Sequence, residues 1–105
     1  MINEPGYRLN VGLIIINDKG KLLLCKRKKT TNWQFPQGGI DNGETPLKAA
    51  KRELFEEVGI SSSSVKFIGT TKKWIKYDIP LNQRKKHFIK KKIKGQTQKW
   101  FMLKL

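Results

Sequence analysis

Apolar positions along the chain form short runs with strand-like composition and one longer segment with helical spacing. Residues 9–16 are almost continuously apolar and rich in branched side chains, which predicts a buried strand. The polar turn at 17–20 and the residues at 21–27 predict a second strand that returns along the first as a hairpin. Shorter strands are predicted further along the chain, at residues 65–69, 73–77 and 99–105.

Segment 45–58 has the start, spacing and end of an amphipathic helix. Thr45 is a good N-cap, Pro46 suits the first helical position, and Gly59 suits the residue at which a helix stops. The apolar positions recur at helical spacing and predict one buried stripe, formed by Leu47, Ala50, Leu54 and Val58. We therefore expect a helix that packs on neighbouring strands through this stripe.

Three carboxylates lie near the end of the predicted helix. Glu53, Glu56 and Glu57 are spaced at i, i+3 and i+4, so all three can share one face. Their mutual repulsion and the negative end of the helix dipole oppose this arrangement, and a hard divalent cation such as Mg²⁺ would offset both. Glu56 and Glu57 are then candidate ligands, and Glu53 a further ligand or a base. The alternative is a solvated acidic face paired with neighbouring basic residues.

Length and composition narrow the class of protein. The 105 residues fit one domain. The sequence contains no run of 18 apolar residues, so it predicts no transmembrane helix. Residues 1–6 lack the basic and apolar regions of a signal peptide. The lone cysteine, Cys25, cannot form an internal disulfide, which fits the reducing cytoplasm.

The charge balance is strongly basic. Lysine and arginine number 23 against 8 acidic residues, which gives a net charge of +15. A field of this sign favours polyanions such as nucleic acids, nucleotides and acidic membrane surfaces. Most of the cations are lysines, however, and a lysine bias also arises from AT-rich coding sequence. Charge alone does not choose between the two explanations.

The helix and the loop before it match a known motif. Gly38, Glu44 and the run 52–60 fill every fixed position of the 23-residue Nudix box, which would span residues 38–60. The chain therefore resembles the Nudix hydrolases, which cleave a nucleoside diphosphate linked to another group at a pyrophosphate bond. The resemblance implies an α/β (α+β) Nudix fold, a mixed sheet with the 45–58 helix packed on it. We expect one such domain over residues 1–105.

The resemblance also implies a metal site and its supporting residues. It assigns metal binding to the backbone oxygen of Gly38 and the catalytic carboxylates of Glu53, Glu56 and Glu57. The implied cofactor is Mg²⁺, or another divalent cation such as Mn²⁺ or Zn²⁺. Glu53 is our candidate for the base that activates the attacking water. Arg52 is expected to orient the acids, and Glu44 to support the site.

A narrower resemblance covers nearly the whole chain, from about Tyr7 to Leu105. Its most specific segment is Trp-Gln-Phe-Pro-Gln-Gly-Gly at 33–39. The chain looks like the bacterial RNA 5′-pyrophosphohydrolases, also described as dinucleoside polyphosphate hydrolases. This implies removal of pyrophosphate or phosphate from the 5′-triphosphate or diphosphate end of RNA, which leaves a 5′-monophosphate and initiates mRNA decay. Hydrolysis of diadenosine polyphosphates (Ap4A type) is the alternative.

Side chains outside the motif are candidates for substrate binding. A 5′-triphosphate needs cations beyond the metal, and Arg8 and Arg27 could bind its oxygens, although both could be plain surface charges. Tyr77 could stack a base or be a half-buried strand residue, and Gln37 is a weaker candidate contact to phosphate or ribose. The expected partner is an RNA 5′ end or a nucleotide, with neither DNA nor a membrane.

Two expectations concern the C-terminal half. Family members run longer, so we expect the C-terminal part of the domain to be absent. Residues 84–94 include seven Lys or Arg, and we expect a solvated, flexible loop there, with binding of an RNA backbone as the alternative. The charge and the shortness together support a third hypothesis, an inactive basic RNA-binding remnant.

Overall fold

The computed structural model describes residues 5–26 and 33–105. In chain order its α-helices and strands are β1 (Tyr7–Ile16), β2 (Cys25–Lys26), β3 (Trp33–Gln34), β4 (Gln37–Gly39), α1 (Pro46–Val58), β5 (Lys66–Thr70), β6 (Ile75–Asp78), α2 (Lys86–Lys90) and β7 (Gly95–Lys104). Two single 3-10 turns lie at Ser62–Ser64 and Leu81–Gln83. Neither helix of the described part is long and apolar enough to span a membrane.

Two long parallel strands, β1 and β7, form the centre of the main sheet. They pair over ten positions, from Tyr7 opposite Gly95 to Ile16 opposite Lys104. Strand β4 lies antiparallel on the other edge of β1. Strands β5 and β6 both lie antiparallel on the far edge of β7, beside different halves of it. The predicted mixed sheet and its three later strands are confirmed.

The two faces of this sheet differ in character. On one face, alternate residues of β1 and β7 pack against α1 and form the hydrophobic core, which consists of Val11, Leu13, Ile15, Phe101, Leu103, Ala49, Ala50 and Leu54. On the other face the most buried positions are polar, Asn10 at 2% exposure and its partner across the strands, Gln98, at 5%. This division follows from the two-residue period of a strand.

Helix α1 begins and ends as the sequence predicts. The Thr45 hydroxyl accepts a hydrogen bond from the backbone N–H of Lys48, and Gly59 closes the helix in the left-handed conformation at φ 70°. The predicted stripe needs one correction, because Leu47 is 43% exposed. The buried face is centred on Ala50 and Glu53, so Leu47 lies at its margin.

The predicted hairpin is wrong beyond its first residues. Within the described residues, β1 meets the returning chain at the bridge between Ile16 and Leu22 and through the Leu23 N–H, which donates to the Ile15 carbonyl oxygen. The chain then leaves β1, and β2 pairs with β3 in a separate two-stranded sheet. Strand β4 pairs with the same edge of β1 at residues 10–12, so a full-length return strand has no place there.

Segment 84–94 is folded, which corrects the expectation of a flexible loop. It contains α2, and Phe88 on this helix is only 5% exposed. The Lys94 N–H donates to the Gly6 carbonyl oxygen at 2.8 Å, and the Ile79 N–H donates to the Lys94 carbonyl oxygen at 2.9 Å. A single aromatic anchor and these backbone hydrogen bonds hold the basic segment against the sheet.

Candidate active site

Arg52 on α1 donates hydrogen bonds to three carboxylates and one carbonyl group. Its Nε and Nη2 donate to the two oxygens of Glu44, at 2.7 and 2.9 Å. Its Nη1 donates to Glu53 at 2.7 Å and to Glu56 at 3.0 Å. A further bond of 2.8 Å joins Nη2 to the Gly39 carbonyl oxygen. Because the guanidinium is a rigid planar fork, Arg52 fixes these groups relative to one another.

Glu44 connects this arginine to the loop before the helix. Its Oε1 also accepts a hydrogen bond from the Asp41 N–H at 3.0 Å. The bonds from Arg52 outweigh the effect of burial and lower the pKa of Glu44 from 4.5 to about 2. The same contacts raise the pKa of Arg52. The pair is therefore ionised at neutral pH and joins the loop before α1 to the helix. The supporting role of Glu44 and the orienting role of Arg52 stay predictions.

Glu53 lies between the helix and strand β4. It is 6% exposed, and this burial raises its pKa, although the bond and charge of Arg52 act in the opposite direction. A Cβ atom on Gly38 would overlap the Glu53 carboxylate. Only glycine at position 38 lets this acid approach the backbone of β4 so closely.

The oxygen-rich donor set fits a hard divalent cation. Arg52 occupies one oxygen each of Glu53 and Glu56, and the second oxygen of each accepts no hydrogen bond within the described residues. Glu56 and Glu57 are both exposed at the end of α1. No three acidic, histidine or cysteine side chains of residues 5–26 and 33–105 stand in a ready coordinating arrangement. We call the close approach of the Glu53 carboxylate to Gly38 the cradle. The cradle and the free carboxylate oxygens nevertheless suit a cation that prefers oxygen ligands.

A cavity of about 540 Å³ opens on the opposite, polar face of the sheet. Its walls come from β1, β3, β4, β6, β7, α2 and the segment before α2. Its lining includes Arg8, Asn10, Gln37, Gly38, Tyr77, Asp78, Lys85, Phe88 and Gln96. The Arg8 guanidinium lies against Gly39, where a Cβ atom would overlap it, and 5.6 Å from the centre of the Phe88 ring. Three of the four predicted substrate-binding residues, Arg8, Gln37 and Tyr77, thus line one cavity.

Two residues that line this cavity, Asn10 and Gln37, are joined by a chain of amide hydrogen bonds through the buried Gln98, and we call these three residues the amide floor. The Gln98 Nε2 donates to Asn10 Oδ1 at 2.8 Å and to Gln37 Oε1 at 3.0 Å. Because its oxygen is engaged, Gln37 keeps its NH₂ group for a ligand, and it lines the cavity. Beside it, Gln96 Nε2 donates to the Tyr77 hydroxyl at 2.7 Å. Within the described residues, Gln96 Oε1 is the one buried side-chain polar atom without a hydrogen-bond partner.

Two predicted site residues remain, Arg27 and Glu57. Arg27 lies outside the described residues. Glu57 forms no hydrogen bond or ion pair within the described residues, and its nearby charge adds to the effect of burial in raising the pKa of the Cys25 thiol. Cys25 itself is half-buried.

Sequence reasoning missed the amide floor. Asn10 is a polar residue inside an apolar run, and Gln96 and Gln98 occupy alternate positions of the last strand. Their two-residue period was the available signal, because it places them on one face, away from the apolar positions.

Comparison with known proteins identifies the family. The NUDIX domain model matches residues 6–100, which is most of the chain. The chain belongs to the Nudix family. The resemblance drawn from the Nudix box is therefore confirmed, and Nudix hydrolases generally use divalent metal cations.

Named relatives of this Nudix chain are close in sequence. It is 50% identical over 105 residues to the "RNA pyrophosphohydrolase" of Blochmanniella floridana, covering all of this chain and 66% of the relative. The chain spans 58–66% of the length of the first curated relatives that it matches.

Solved structures agree with the fold. The E. coli dihydroneopterin triphosphate pyrophosphohydrolase matches with a TM-score of 0.79 and 27% identity, over 94% of this chain and 70% of that one. A C. elegans Ap4A hydrolase in a binary complex matches with a TM-score of 0.70 and 25% identity, over 93% of this chain and 66% of that one.

Proposed function

We propose that this Nudix domain removes pyrophosphate or phosphate from the 5′-triphosphate or diphosphate end of RNA and leaves a 5′-monophosphate. The 50% identity to a protein named RNA pyrophosphohydrolase supports this substrate. A cytoplasmic location suits an enzyme of RNA decay and fits the lone Cys25.

The observation on which this proposal rests is the position of β4 between two sites. The core-facing side of Gly38 meets the buried carboxylate of Glu53, and the same glycine lines the cavity that contains Arg8, Gln37 and Tyr77. The acids that we propose as metal ligands and a pocket of nucleotide size are thus separated by one strand. A 5′ phosphate chain that passes the edge of β4 would reach both.

Mg²⁺ is the cation we propose, held by the Gly38 carbonyl oxygen and the carboxylates of Glu53, Glu56 and Glu57. When bound, it would neutralise phosphate charge and lower the pKa of a coordinated water. The position of Arg52 matters here because its guanidinium orients Glu53 and Glu56 with one oxygen each left free.

Different side chains of the protein are proposed to activate the water and to bind the substrate. Glu53 is proposed as the base that accepts a proton from the attacking water, and its raised pKa suits a group that must hold a proton transiently. Water oxygen bonds to phosphorus as the bond to the leaving pyrophosphate or phosphate breaks. Arg8 and the NH₂ group of Gln37 would bind phosphate or ribose oxygens, and Tyr77 would stack the base.

The test compares wild-type protein with Glu53→Gln in the release of pyrophosphate and phosphate from 5′-triphosphorylated RNA with Mg²⁺. We expect the variant to lose at least about 100-fold in turnover, the lower end of the contribution of general base catalysis. Asp18→Asn, which removes an exposed acid from the turn after β1, is the matched control and should keep full activity. Wild-type turnover in Glu53→Gln would refute the role of Glu53. A folded but inactive wild-type chain would instead support the RNA-binding remnant.

Hydrolysis of diadenosine polyphosphates is the second candidate. It is favoured by the structural likeness to the C. elegans Ap4A hydrolase. Competition between triphosphorylated RNA and diadenosine tetraphosphate separates the two, because the preferred substrate shows the higher kcat/KM in a mixture.

A further inference from the structure

The basic segment, residues 84–94, concentrates positive charge beside the cavity. It contains seven Lys or Arg residues and no acid. Lys85 and Phe88 line the cavity, and the Lys85 ammonium lies 5.9 Å from the centre of the Phe88 ring. The segment therefore forms one wall of the nucleotide-sized pocket and continues away from it.

Helix α2 directs its lysines away from the sheet. Phe88 packs inward, and Lys86 and Lys90, each two residues from it, lie about 200° around the helix and are exposed. These two lysines are also spaced at i, i+4, where like charges destabilise a helix. Lys91 follows directly and is exposed as well.

The protein supplies little compensation for this charge. Every ion pair found within residues 5–26 and 33–105 involves Arg52, on the other side of the sheet, so none joins a cation of the basic segment to an acid there. Lys92 adopts the left-handed conformation at φ 59°, a position at which glycine would be less strained. The anchoring of Phe88 nevertheless keeps these charges on a fixed surface.

We propose that the exposed lysines of the basic segment bind the phosphodiester backbone of RNA downstream of its 5′ nucleotide. The inference rests on the proposed function, since it assumes that the 5′ nucleotide occupies the cavity. RNA leaving the cavity past Lys85 and Phe88 would place its following phosphates along Lys86, Lys90 and Lys91. A dinucleoside polyphosphate has no such continuing backbone, so this surface favours RNA over the smaller substrate.

Binding of product RNA tests the proposal without requiring turnover. The affinities of a 5′-monophosphorylated dinucleotide and dodecamer, labelled at the 3′ end, are measured by fluorescence anisotropy over a range of salt. We expect the wild type to bind the dodecamer more tightly. In Lys86→Gln/Lys90→Gln/Lys91→Gln, the slope of log affinity against log salt should fall by about 2 for the dodecamer, since each contact to single-stranded RNA contributes about 0.7. A fourfold rise in salt should then weaken wild-type binding roughly 20-fold more than variant binding.

The control variant removes the same charge at the other end of the sheet. Three exposed lysines lie near the C-terminal end of β1, whereas Arg8 lies at its N-terminal end: Lys19, Lys21 and Lys104. Their triple substitution by Gln should leave the salt slope for the dodecamer nearly unchanged. Equal slopes in the two triple variants, or equal affinity of the wild type for both RNA lengths, would overturn the proposal. So would loss of binding to phosphatidylserine vesicles in Lys86→Gln/Lys90→Gln/Lys91→Gln with RNA binding unchanged, which would assign the surface to membranes.

Turnover of the triphosphorylated dinucleotide separates the two proposals. The variant Lys86→Gln/Lys90→Gln/Lys91→Gln should hydrolyse it at the wild-type kcat, because the dinucleotide lacks the later phosphates that these lysines are proposed to bind. If the wild type hydrolyses no triphosphorylated RNA, the proposed function fails, and the binding comparison still decides whether this surface takes RNA.

Discussion

The contact between Glu44 and Arg52 gives the sharpest prediction for stability. Glu44 accepts two hydrogen bonds from the guanidinium, at 2.7 and 2.9 Å, and its side chain is 15% exposed. In Glu44→Gln the shape is kept, but the amide has one oxygen acceptor, and its NH₂ group would face the second of the two guanidinium N–H donors. The variant therefore loses the negative charge and leaves an N–H of Arg52 without an acceptor.

The magnitude follows from the pKa of Glu44. A fall from 4.5 to about 2 means that the folded state favours the ionised carboxylate by about 3 kcal/mol at most. Because the folded state binds this proton less readily than the unfolded state, the stabilisation is complete above pH 4.5 and is lost as the pH falls towards 2. Glu44→Gln should thus cost up to about 3 kcal/mol of unfolding free energy at pH 7, and almost nothing near pH 2.

Urea unfolding followed by tryptophan fluorescence measures this difference across the pH range. Subtraction of the Glu44→Gln curve from the wild-type curve removes the contributions of the other acids. Asp18→Asn is the control, and its unfolding free energy should stay within about 0.5 kcal/mol of wild type at every pH. A wild-type-minus-Glu44→Gln difference that stays constant between pH 4.5 and 2 would refute the reasoning, since the stabilisation would then not arise from an ionised Glu44.

Two further predictions concern the two sides of β4. Gly38→Ala should lower turnover of triphosphorylated RNA by about 100-fold without unfolding the protein, because its methyl group displaces the Glu53 carboxylate. Gly69→Ala, where an added Cβ meets no atom within 4 Å, should retain full activity, and an equal loss in both would argue against the cradle. Gln98→Met should raise KM about tenfold with little change in kcat, because Gln37 loses the donor that orients it. An unchanged KM would show that this orientation is unimportant.

The helix could be predicted closely because its signals are local. A hydroxyl N-cap, a proline at the first position and a glycine at the stop each act within a few residues, and all three appear as expected at Thr45, Pro46 and Gly59. The spacing of the carboxylates on this helix was also local information. What the sequence pattern did not reveal is how Arg52 divides its bonds between Glu44, Glu53 and Glu56, because this depends on how the loop before the helix folds back onto it.

Strand pairing was harder to predict because it depends on residues far apart in the sequence. The apolar pattern after Ile16 correctly predicted that the chain turns back to β1. It could not reveal that β4 pairs with the rest of the same edge of β1. Likewise, the seven cations of the basic segment favoured the prediction of an exposed loop. The segment is folded because one residue within it, Phe88, is buried. A charge run predicts solvent exposure for its charges, and one apolar side chain among them is enough to attach it to a sheet.

The cavity illustrates the same limit for the site. The sequence indicates Arg8, Gln37 and Tyr77 only as separate candidates. The parallel pairing of β1 with β7 brings Asn10 beside Gln98, whose amide also donates to Gln37. The Gln98 amide can orient Gln37 only because β4 pairs with the opposite edge of β1. Three strands distant in sequence therefore determine which atom of Gln37 is engaged by the amide floor. Substrate preference should accordingly respond to substitutions at Asn10 and Gln98, two residues that the Nudix box does not contain.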